Sequence, residues 1–509
     1  MKQFIQYIQY SLKHKIPFLR FQNLKSKLIK YGPTFLIILI IVEIIKHFGL
    51  PLFFLYLGNN VHDFFYVLIP APLLMCLHIF TAPLIFIIYI KIIKKKFKLS
   101  EFYLNTLKLV ASISIAQLIP IFITPILTQF FSPEEFGIYG LYLSLCTIFG
   151  VIASGKFDTA IMLPKNKKDS LNLLFLSFLI AFTFSTIFFS FLNIFNDKIF
   201  QLLNLELLKE YYYIIPITIF LISVNQSFLV WFNREKKYNV ISTNNIIKSG
   251  ANSSISLFLG FKKIVFGLII GNLVSLILIC IFNIFFFLKE FKFEQIQSKI
   301  IKKNFIKYID FLKFSSVSNL FNSIANLGMT TLIIIFFGPK IAGLYFLAEK
   351  LIAVPISFIT TSISQVYFQR ASELFYLDKK KLLHLTNKIQ LNIFFILFPI
   401  LIITSIYGKE IFLLFGNEWG QAGTILKYFT PILLLKNIYS PISHIGDILN
   451  KQKVLLLFNI SLFIFQLASF YFLKEYSDIK FALLTASSIS ALHYMFLNNY
   501  MKKELTKLI

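Results

Sequence analysis

Apolar stretches long enough to cross a membrane recur along the whole chain, separated by short polar and basic loops. A hydrocarbon core of ~30 Å takes about 20 helical residues to span, and a backbone within lipid must satisfy its own hydrogen bonds. The pattern therefore predicts an all-α polytopic membrane protein. Its fourteen predicted transmembrane helices are 34–57, 64–90, 104–130, 138–155, 171–195, 211–232, 240–259, 264–288, 312–337, 341–365, 389–406, 423–448, 454–473 and 479–500.

The composition agrees with a chain embedded in lipid and changes how its charge is interpreted. Hydrophobic residues make up 57% and charged residues 14%, with a mean hydropathy of +0.75. Most of the net charge of +27 lies in the loops that follow even-numbered spans, such as 91–103. By the positive-inside rule these loops and both termini are cytoplasmic. The charge therefore orients the protein, and we expect no nucleic acid partner.

A twelve-residue segment occurs twice, and it divides the chain into repeats. The pattern F-F-x-P-x-x-x-G-x-Y-x-L begins at Phe130 and again at Phe336, with six predicted spans between the copies. An even number of spans per repeat gives two parallel halves with a cavity at their interface. The repeated residues expected to have a structural or hinge role are Pro133, Gly137, Pro339 and Gly343. The predicted domains are a basic cytoplasmic lead-in (1–33), an extra amino-terminal transmembrane pair (34–100), a six-helix N-lobe (101–310) and a six-helix C-lobe (311–509).

Four lysines and one glutamate within the predicted spans are candidates for a functional site. A charge at the bilayer centre costs ~2.5–3.5 kcal/mol on insertion scales, so it tends to face a wet interior or an anion. Lys350 and Lys436 lie near mid-depth, Lys248 about two turns from one end, and Lys108 is shallow enough to snorkel as well. We predict a cationic cavity lined by these lysines. Glu349 points about 100° away from Lys350, so one of the two should meet the opposite half, and Glu349 is the candidate for ion coupling.

No pattern typical of an enzyme stands out in this sequence. The spacing of Gly150–Phe157 imitates a phosphate-binding loop, but Phe157 replaces the required Ser or Thr and the segment ends an apolar helix. The cysteines lie inside apolar spans and show no ligand spacing. We therefore predict no catalytic residue, no metal site and no cofactor.

Two further features have structural interpretations. Prolines within spans, Pro355 among them, are predicted kinks, which membrane helices tolerate and moving helices use. Aromatic residues at span ends, including Tyr213, Tyr407, Trp419 and Tyr471, are predicted to form an interfacial belt.

From about residue 101 onward, seven segments resemble one known family. They are FSPEEFGIYGLYLSL (131–145), FDTAIMLPKN (157–166), PITIFLISVNQSFLVWFNREKKY (216–238), GLIIGN (267–272), KFSSVSNLFNSIANL (313–327), GLYFLAEKLIAVPISFITTSISQVYFQRASE (343–373) and LFGNEWGQAGTILKYFTPILLLKNIYSPIS (414–443). In this order they resemble the Wzx-type polysaccharide flippases, whose superfamily also holds lipid II flippases and MATE-type multidrug exporters.

The resemblance implies a MATE-like, two-lobed core of twelve helices in a bacterial inner membrane. It also implies translocation of an undecaprenyl-diphosphate-linked oligosaccharide for O-antigen or other lipopolysaccharide-type surface polysaccharide, with Lys350 contacting the diphosphate or a sugar. The expected partners are that substrate, the lipid bilayer, a coupling cation (Na⁺ or H⁺) and polysaccharide polymerases or glycosyltransferases. Two alternatives stay open: a cation-coupled exporter of small amphiphiles, and a polytopic sugar polymerase or ligase.

Overall fold

The computed structural model describes residues 101–202, 209, 212–289, 296–440, 445, 449, 451–474 and 479–508. Twelve long helices run through this part of the chain. They are α1 (Glu101–Leu127), α2 (Pro133–Gly150), α3 (Lys167–Leu202), α4 (Ile214–Arg234), α5 (Tyr238–Phe261), α6 (Gly267–Leu288), α7 (Ser316–Phe337), α8 (Pro339–Leu377), α9 (Lys379–Ile406), α10 (Gly420–Tyr439), α11 (Gln452–Leu473) and α12 (Ile479–Thr506).

Short elements connect some of these helices. They are a single turn at Phe157–Ala160, an amphipathic helix at Ser298–Lys307, a π-helical turn at Phe311–Ser315 ahead of α7, a helix at Gly408–Leu413 and a 3₁₀ turn at Asn417–Trp419. We call Ser298–Lys307 the linker helix. We call α1–α6 the first half of the bundle and α7–α12 the second half.

Each of the twelve spans predicted between residues 104 and 500 overlaps one of these helices. Seven of them, on α3, α4, α6, α7, α9, α11 and α12, are long and apolar enough to cross a membrane by length and composition. The helices α5 and α10 are not among these seven: α5 carries Lys248, α10 carries Lys427 and Lys436, and both contain several Asn, Ser or Thr residues. The lead-in 1–33 and the transmembrane pair 34–100 lie outside the described residues.

Local sequence explains where the two repeat helices begin. Ser132 caps α2: its hydroxyl accepts from the amide of Glu135, and the Glu135 carboxylate accepts from the amide of Ser132. Pro133 follows at the first helical position, where its missing N–H costs nothing. Pro339 occupies the same position in α8, after Gly338 with φ of +83°. Both repeat copies therefore start a helix at their proline.

Pro120 removes a hydrogen bond from the interior of α1, and a neighbouring helix replaces it. A proline at this position leaves the carbonyl of Ala116 without its donor. The hydroxyl of Ser249 on α5 donates to that carbonyl. The Thr124 hydroxyl in turn donates to the Pro120 carbonyl at 2.5 Å. The proline thus ties α1 to α5.

The helices alternate in direction, so the bundle has two ends. End A holds residues 151–166, 235–237, 296–315, 378 and the carboxyl-terminal part of α12; end B holds residues 128–132, 262–266, 338 and 407–419. Near end A, each half has its own apolar cluster, one around Phe157, Trp231 and Phe232 and the other around Tyr367 and Leu505. Between the halves, α2 packs against α7 and α8. The boundary between N-lobe and C-lobe at residue 310 stays a prediction.

Candidate functional site

The two copies of the repeat pack against each other at end B. A Cβ atom built on Gly137 would lie 1.9 Å from the carbonyl oxygen of Pro339, and one built on Gly343 would lie 1.7 Å from that of Pro133. No side chain fits at such distances, so each glycine permits the backbones of α2 and α8 to touch. The contact is reciprocal, as expected for a pseudo-two-fold axis relating the repeats.

Two further contacts join the halves at this end. The Lys340 ammonium lies 4.0 Å from the Glu134 carboxylate. Trp419 donates its indole N–H to the Thr128 carbonyl at 3.2 Å and meets the Phe136 ring edge-on at 5.0 Å. At 2% exposure Trp419 is buried, so its assignment to an interfacial aromatic belt is wrong. The indole packs against the other half because that half offers an unpaired carbonyl where α1 ends.

Next towards end A lies a layer of four rings, Tyr139, Tyr345, Phe346 and Phe429, which we call the aromatic layer. Tyr139 on α2 meets Phe346 of α8 edge-on at 5.9 Å, and its hydroxyl accepts from the Asn252 amide of α5 at 3.4 Å. Tyr345 of α8 contacts Phe429 of α10, with ring centroids 4.9 Å apart. The layer thus joins α2, α5, α8 and α10.

Three of the predicted site lysines lie on the end-A side of this layer. Lys350 follows Phe346 by one turn of α8, and Lys248 lies one turn from Asn252 on α5. Lys436 follows Phe429 by two turns of α10. Since Asn252 and Phe346 both touch Tyr139, the structure brings Lys248 and Lys350 to a similar level along α2. Sequence reasoning found the lysines but missed Tyr139, Asn252 and Phe346.

These lysines lie deep within the protein yet remain accessible. All three are surrounded by protein on most sides, but Lys248 is exposed and Lys350 and Lys436 are half-buried. This combination is typical of side chains that line a cleft. Lys108 lies on α1, but its side chain is outside the described set, so its place in the cavity stays a prediction.

Glu349 and Lys350 point in different directions, as the helical period requires. Glu349 lies near Lys436 of α10, close enough for the two charges to interact. Tyr345, which lies one turn before Glu349 on α8, also faces α10. By contrast Phe346, one turn before Lys350, meets Gly140 and Tyr139 of the first half. Lys350 is therefore the member of the pair that lies on the face towards the opposite half.

Hydrogen bonds between buried asparagine side chains, and not ion pairs, connect three helices of the first half. Asn244 donates to Asn283 at 2.6 Å, and Asn283 donates to Asn225 at 2.9 Å, which links α5, α6 and α4. The hydroxyls of Tyr142 and Thr218 lie 2.7 Å apart. Such hydrogen bonds hold these helices in one arrangement.

Among the described residues, no three His, Cys, Asp or Glu side chains are grouped as metal ligands. The segment that imitates a phosphate-binding loop lies between α2 and the turn at Phe157–Ala160, with no strand before it. Gly155 and Lys156 both have positive φ, 60° and 59°. Pro355 lies within α8, and its role as a hinge stays a prediction.

Comparison with protein families assigns the chain. The family model described as "Polysaccharide biosynthesis protein" matches residues 126–423, more than half of the chain. The chain belongs to the polysaccharide biosynthesis protein family. The resemblance inferred from its sequence segments is thereby confirmed. A search of curated proteins finds no significant match.

Solved structures with the same fold are transporters. A lipid II flippase, MurJ, in an inward closed conformation is 16% identical, with 78% of this chain and 89% of that one covered and a TM-score of 0.62. An inward-facing multidrug resistance MATE family transporter is 15% identical (78% and 95% covered, TM-score 0.60). A MOP superfamily transporter from Pyrococcus furiosus, described with a binding pocket of reverse polarity, is 16% identical (79% and 96% covered, TM-score 0.54). The predicted all-α, MATE-like fold is confirmed.

Proposed function

We propose that this protein is a flippase that moves an undecaprenyl-diphosphate-linked oligosaccharide across the bacterial inner membrane for surface polysaccharide synthesis. The observation that supports the proposal is that three accessible lysines, Lys248, Lys350 and Lys436, lie on the same side of the aromatic layer inside a membrane-embedded bundle. A diphosphate with its glycan needs a wet cationic cavity, which lipid alone does not offer. Membership of a polysaccharide biosynthesis family and the shared fold of a lipid II flippase support this substrate class.

The arrangement of the two halves supports transport by alternating access. The glycine crossing, the Glu134–Lys340 pair and Trp419 close end B above the lysines, so the substrate enters from end A. By the positive-inside rule the lysine-rich end A is cytoplasmic, which gives export to the periplasm. Rocking one half against the other would separate the repeat helices at end B and release the glycan.

Glu349 is the proposed site of ion coupling. A carboxylate beside Lys436 competes with the substrate diphosphate for that ammonium. Binding of Na⁺ or H⁺ to Glu349 would free Lys436 for the substrate, which couples cation binding to loading. Polymerases and glycosyltransferases that make or use the glycan are the proposed protein partners, and Lys108 is a further proposed cavity residue.

The test uses the purified full chain in proteoliposomes and measures translocation of a lipid-linked oligosaccharide. We expect Lys350→Gln and Lys436→Gln each to reduce the rate by roughly tenfold or more, because a hydrogen bond to a charged group contributes about 1.5–3 kcal/mol. Arginine at either position keeps the charge and should retain most of the rate.

Lys427→Gln is the matched control. Lys427 lies on α10, nine residues before Lys436, and therefore on the opposite face of the same helix. Its substitution should leave the rate unchanged. Full translocation by both cavity variants would refute the cationic cavity. If the protein instead moved small amphiphilic cations and no lipid-linked glycan, it would be an exporter of the multidrug type.

A further inference from the structure

The linker helix, Ser298–Lys307, joins the two halves at end A and is fixed to the first half. The backbone amide of Gln297 donates to Asn172 at 2.9 Å, and the Asn304 side chain donates to the Asp169 carbonyl at 3.0 Å. Phe305 stacks on Phe157 with ring centroids 5.7 Å apart. These contacts set the position of the helix independently of the cavity.

The same anchors define its direction. Gln297 and Asn304 are about 10 Å apart along a helix, whereas Asp169 and Asn172 are only about 4.5 Å apart along α3. The linker helix is therefore inclined to α3 and is held at the first two turns of that helix. Since α3 spans the membrane, the linker helix lies at the membrane surface.

Its depth corresponds to the lipid headgroups. The anchors on α3 lie in the first two turns of that helix, and Leu179, 54% exposed, begins the broad apolar surface of α3 about 10 Å further on. A helix at the level of Asp169 and Asn172 is thus adjacent to the hydrocarbon and outside it.

The two faces of the linker helix differ completely. Ile301, Asn304 and Tyr308 face the apolar cluster of the first half. The opposite face presents four exposed lysines around the 64% exposed Ile306. They are Lys299, Lys302, Lys303 and Lys307, and the helix contains no acidic residue.

We propose that this face is a binding surface for anionic phospholipid headgroups. Among the described carboxylates, none pairs with Lys299, Lys302 or Lys303, so their charge is free for an external anion. Each lysine near an anionic membrane surface contributes about 1 kcal/mol, and Ile306 at the centre of the face inserts at the headgroup boundary as in interfacial amphipathic helices. A lipid partner fits better than a soluble acidic protein because the face lies at membrane level.

Hydrogen–deuterium exchange of the full chain in nanodiscs tests the proposal. The nanodiscs contain phosphatidylcholine alone or mixed with phosphatidylglycerol. We expect amides 298–307 to exchange about tenfold more slowly with the anionic lipid, as binding to the folded helix stabilises it. Replacing the four lysines with Gln should abolish this difference, and replacing them with Arg should preserve it.

Four exposed lysines at end B or on the helices near it, Lys198, Lys262, Lys409 and Lys427, provide the charge-matched control when changed to Gln. In this variant, hydrogen exchange at residues 298–307 should still depend on the lipid. Unchanged exchange in α3 reports that each variant is folded. Equal exchange of the linker helix in both lipids would overturn the proposal. So would the end-B variant if it lost the lipid dependence of exchange as completely as the linker-helix variant, because the effect would then be one of general charge. Neither result depends on the translocation assay.

Discussion

At the scale of single residues, Arg234 fixes the loop at end A of the first half. Its Nη1 donates to the carbonyls of Ile161 and Met162 at 3.2 and 3.0 Å, and its Nη2 donates to that of Pro164 at 2.6 Å. Only a planar guanidinium presents donors in such a fork. Lys167 and Glu235 form an ion pair at 2.5 Å beside it.

Arg234→Lys should therefore loosen this loop although it keeps the charge. We expect amides of residues 161–166 to exchange several-fold faster, since at least two carbonyls lose their donors. Hydrogen exchange in the membrane-embedded protein measures this. Arg234→Lys with unchanged exchange would mean that the loop is held by other contacts.

Asp378 begins α9 and gives that helix a dependence on pH. Its carboxylate accepts from the backbone N–H of Lys381 at 2.9 Å and lies 3.1 Å from the ammonium of Lys381. These hydrogen bonds hold the pKa of Asp378 below its usual range. A carboxyl with a depressed pKa stabilises the folded form above its unfolded pKa, and this contribution is lost as pH falls through the folded value.

Protection of the first turn of α9 from hydrogen exchange should accordingly decline below about pH 4, near the pKa of the carboxyl in the unfolded chain. Asp378→Asn keeps an oxygen that can cap the helix but should remove the pH dependence. Asp378→Ala should reduce protection at every pH, because the cap is absent. Hydrogen-exchange protection factors at residues 379–382 distinguish the parent protein from the two variants. If protection fell with pH in the Asp378→Asn variant as much as in the parent protein, titration of Asp378 would be ruled out.

The sequence predicted some residues of the site and not others, for a physical reason. A lysine in an apolar span signals a wet interior whatever its neighbours are, so Lys350 and Lys436 could be found from hydropathy alone. Trp419 and Tyr139 give no such signal, because an aromatic residue is equally at home at an interface, in a core or beside a cavity. Their partners belong to the other half or to distant helices, and tertiary packing decides their role.

At the scale of helices, the crossing of α2 and α8 brings the two halves together at end B. Each glycine at the crossing faces a backbone carbonyl that cannot move aside like a side chain. The repeat in the sequence identified Gly137 and Gly343 as structural positions, and the structure shows that they face each other. Sequence spacing gives the turn on which a residue lies, but the partner across the interface follows only from how the halves dock.

Gly343→Ala should therefore destabilise the closed form of end B by about 1–3 kcal/mol, the usual cost of overpacking. Trp419 reports the change, because it is buried at this end in contact with Thr128. In a Trp231→Phe background, we expect iodide to quench Trp419 fluorescence more strongly in the variant. Gly137→Ala should behave alike, since the contact is reciprocal.

Gly250→Ala is the control for helix propensity. Gly250 lies within α5, and a Cβ there would meet nothing within 4 Å. Alanine at this position should leave Trp419 quenching unchanged and add up to about 1 kcal/mol of stability to the helix. Equal quenching in the Gly343 and Gly250 variants would show that the α2–α8 contact does not hold end B closed.

At the scale of the whole molecule, hydropathy predicted the number of core helices because each must cross the same thickness of lipid. It could not predict how the two halves meet. That depends on a few contacts between residues about two hundred positions apart, such as Gly137 with Gly343 and Glu134 with Lys340. The same contacts lie between end B and the three lysines, so they link the packing of the halves to the proposed transport.

Locking the halves together at end B should therefore stop transport without altering the cavity. In a background lacking the native cysteines, Glu134→Cys with Lys340→Cys provides a pair that a short, reducible crosslinker can bridge, since the native side chains lie 4.0 Å apart. We expect translocation of lipid-linked oligosaccharide to fall to background on crosslinking and to return after reduction. The control pair, Lys451→Cys with Glu504→Cys, replaces a 2.8 Å ion pair within the second half and should transport equally well with or without the bridge. Transport that persists when the Glu134→Cys/Lys340→Cys pair is completely crosslinked would exclude separation of the repeat helices at end B as a step of the cycle.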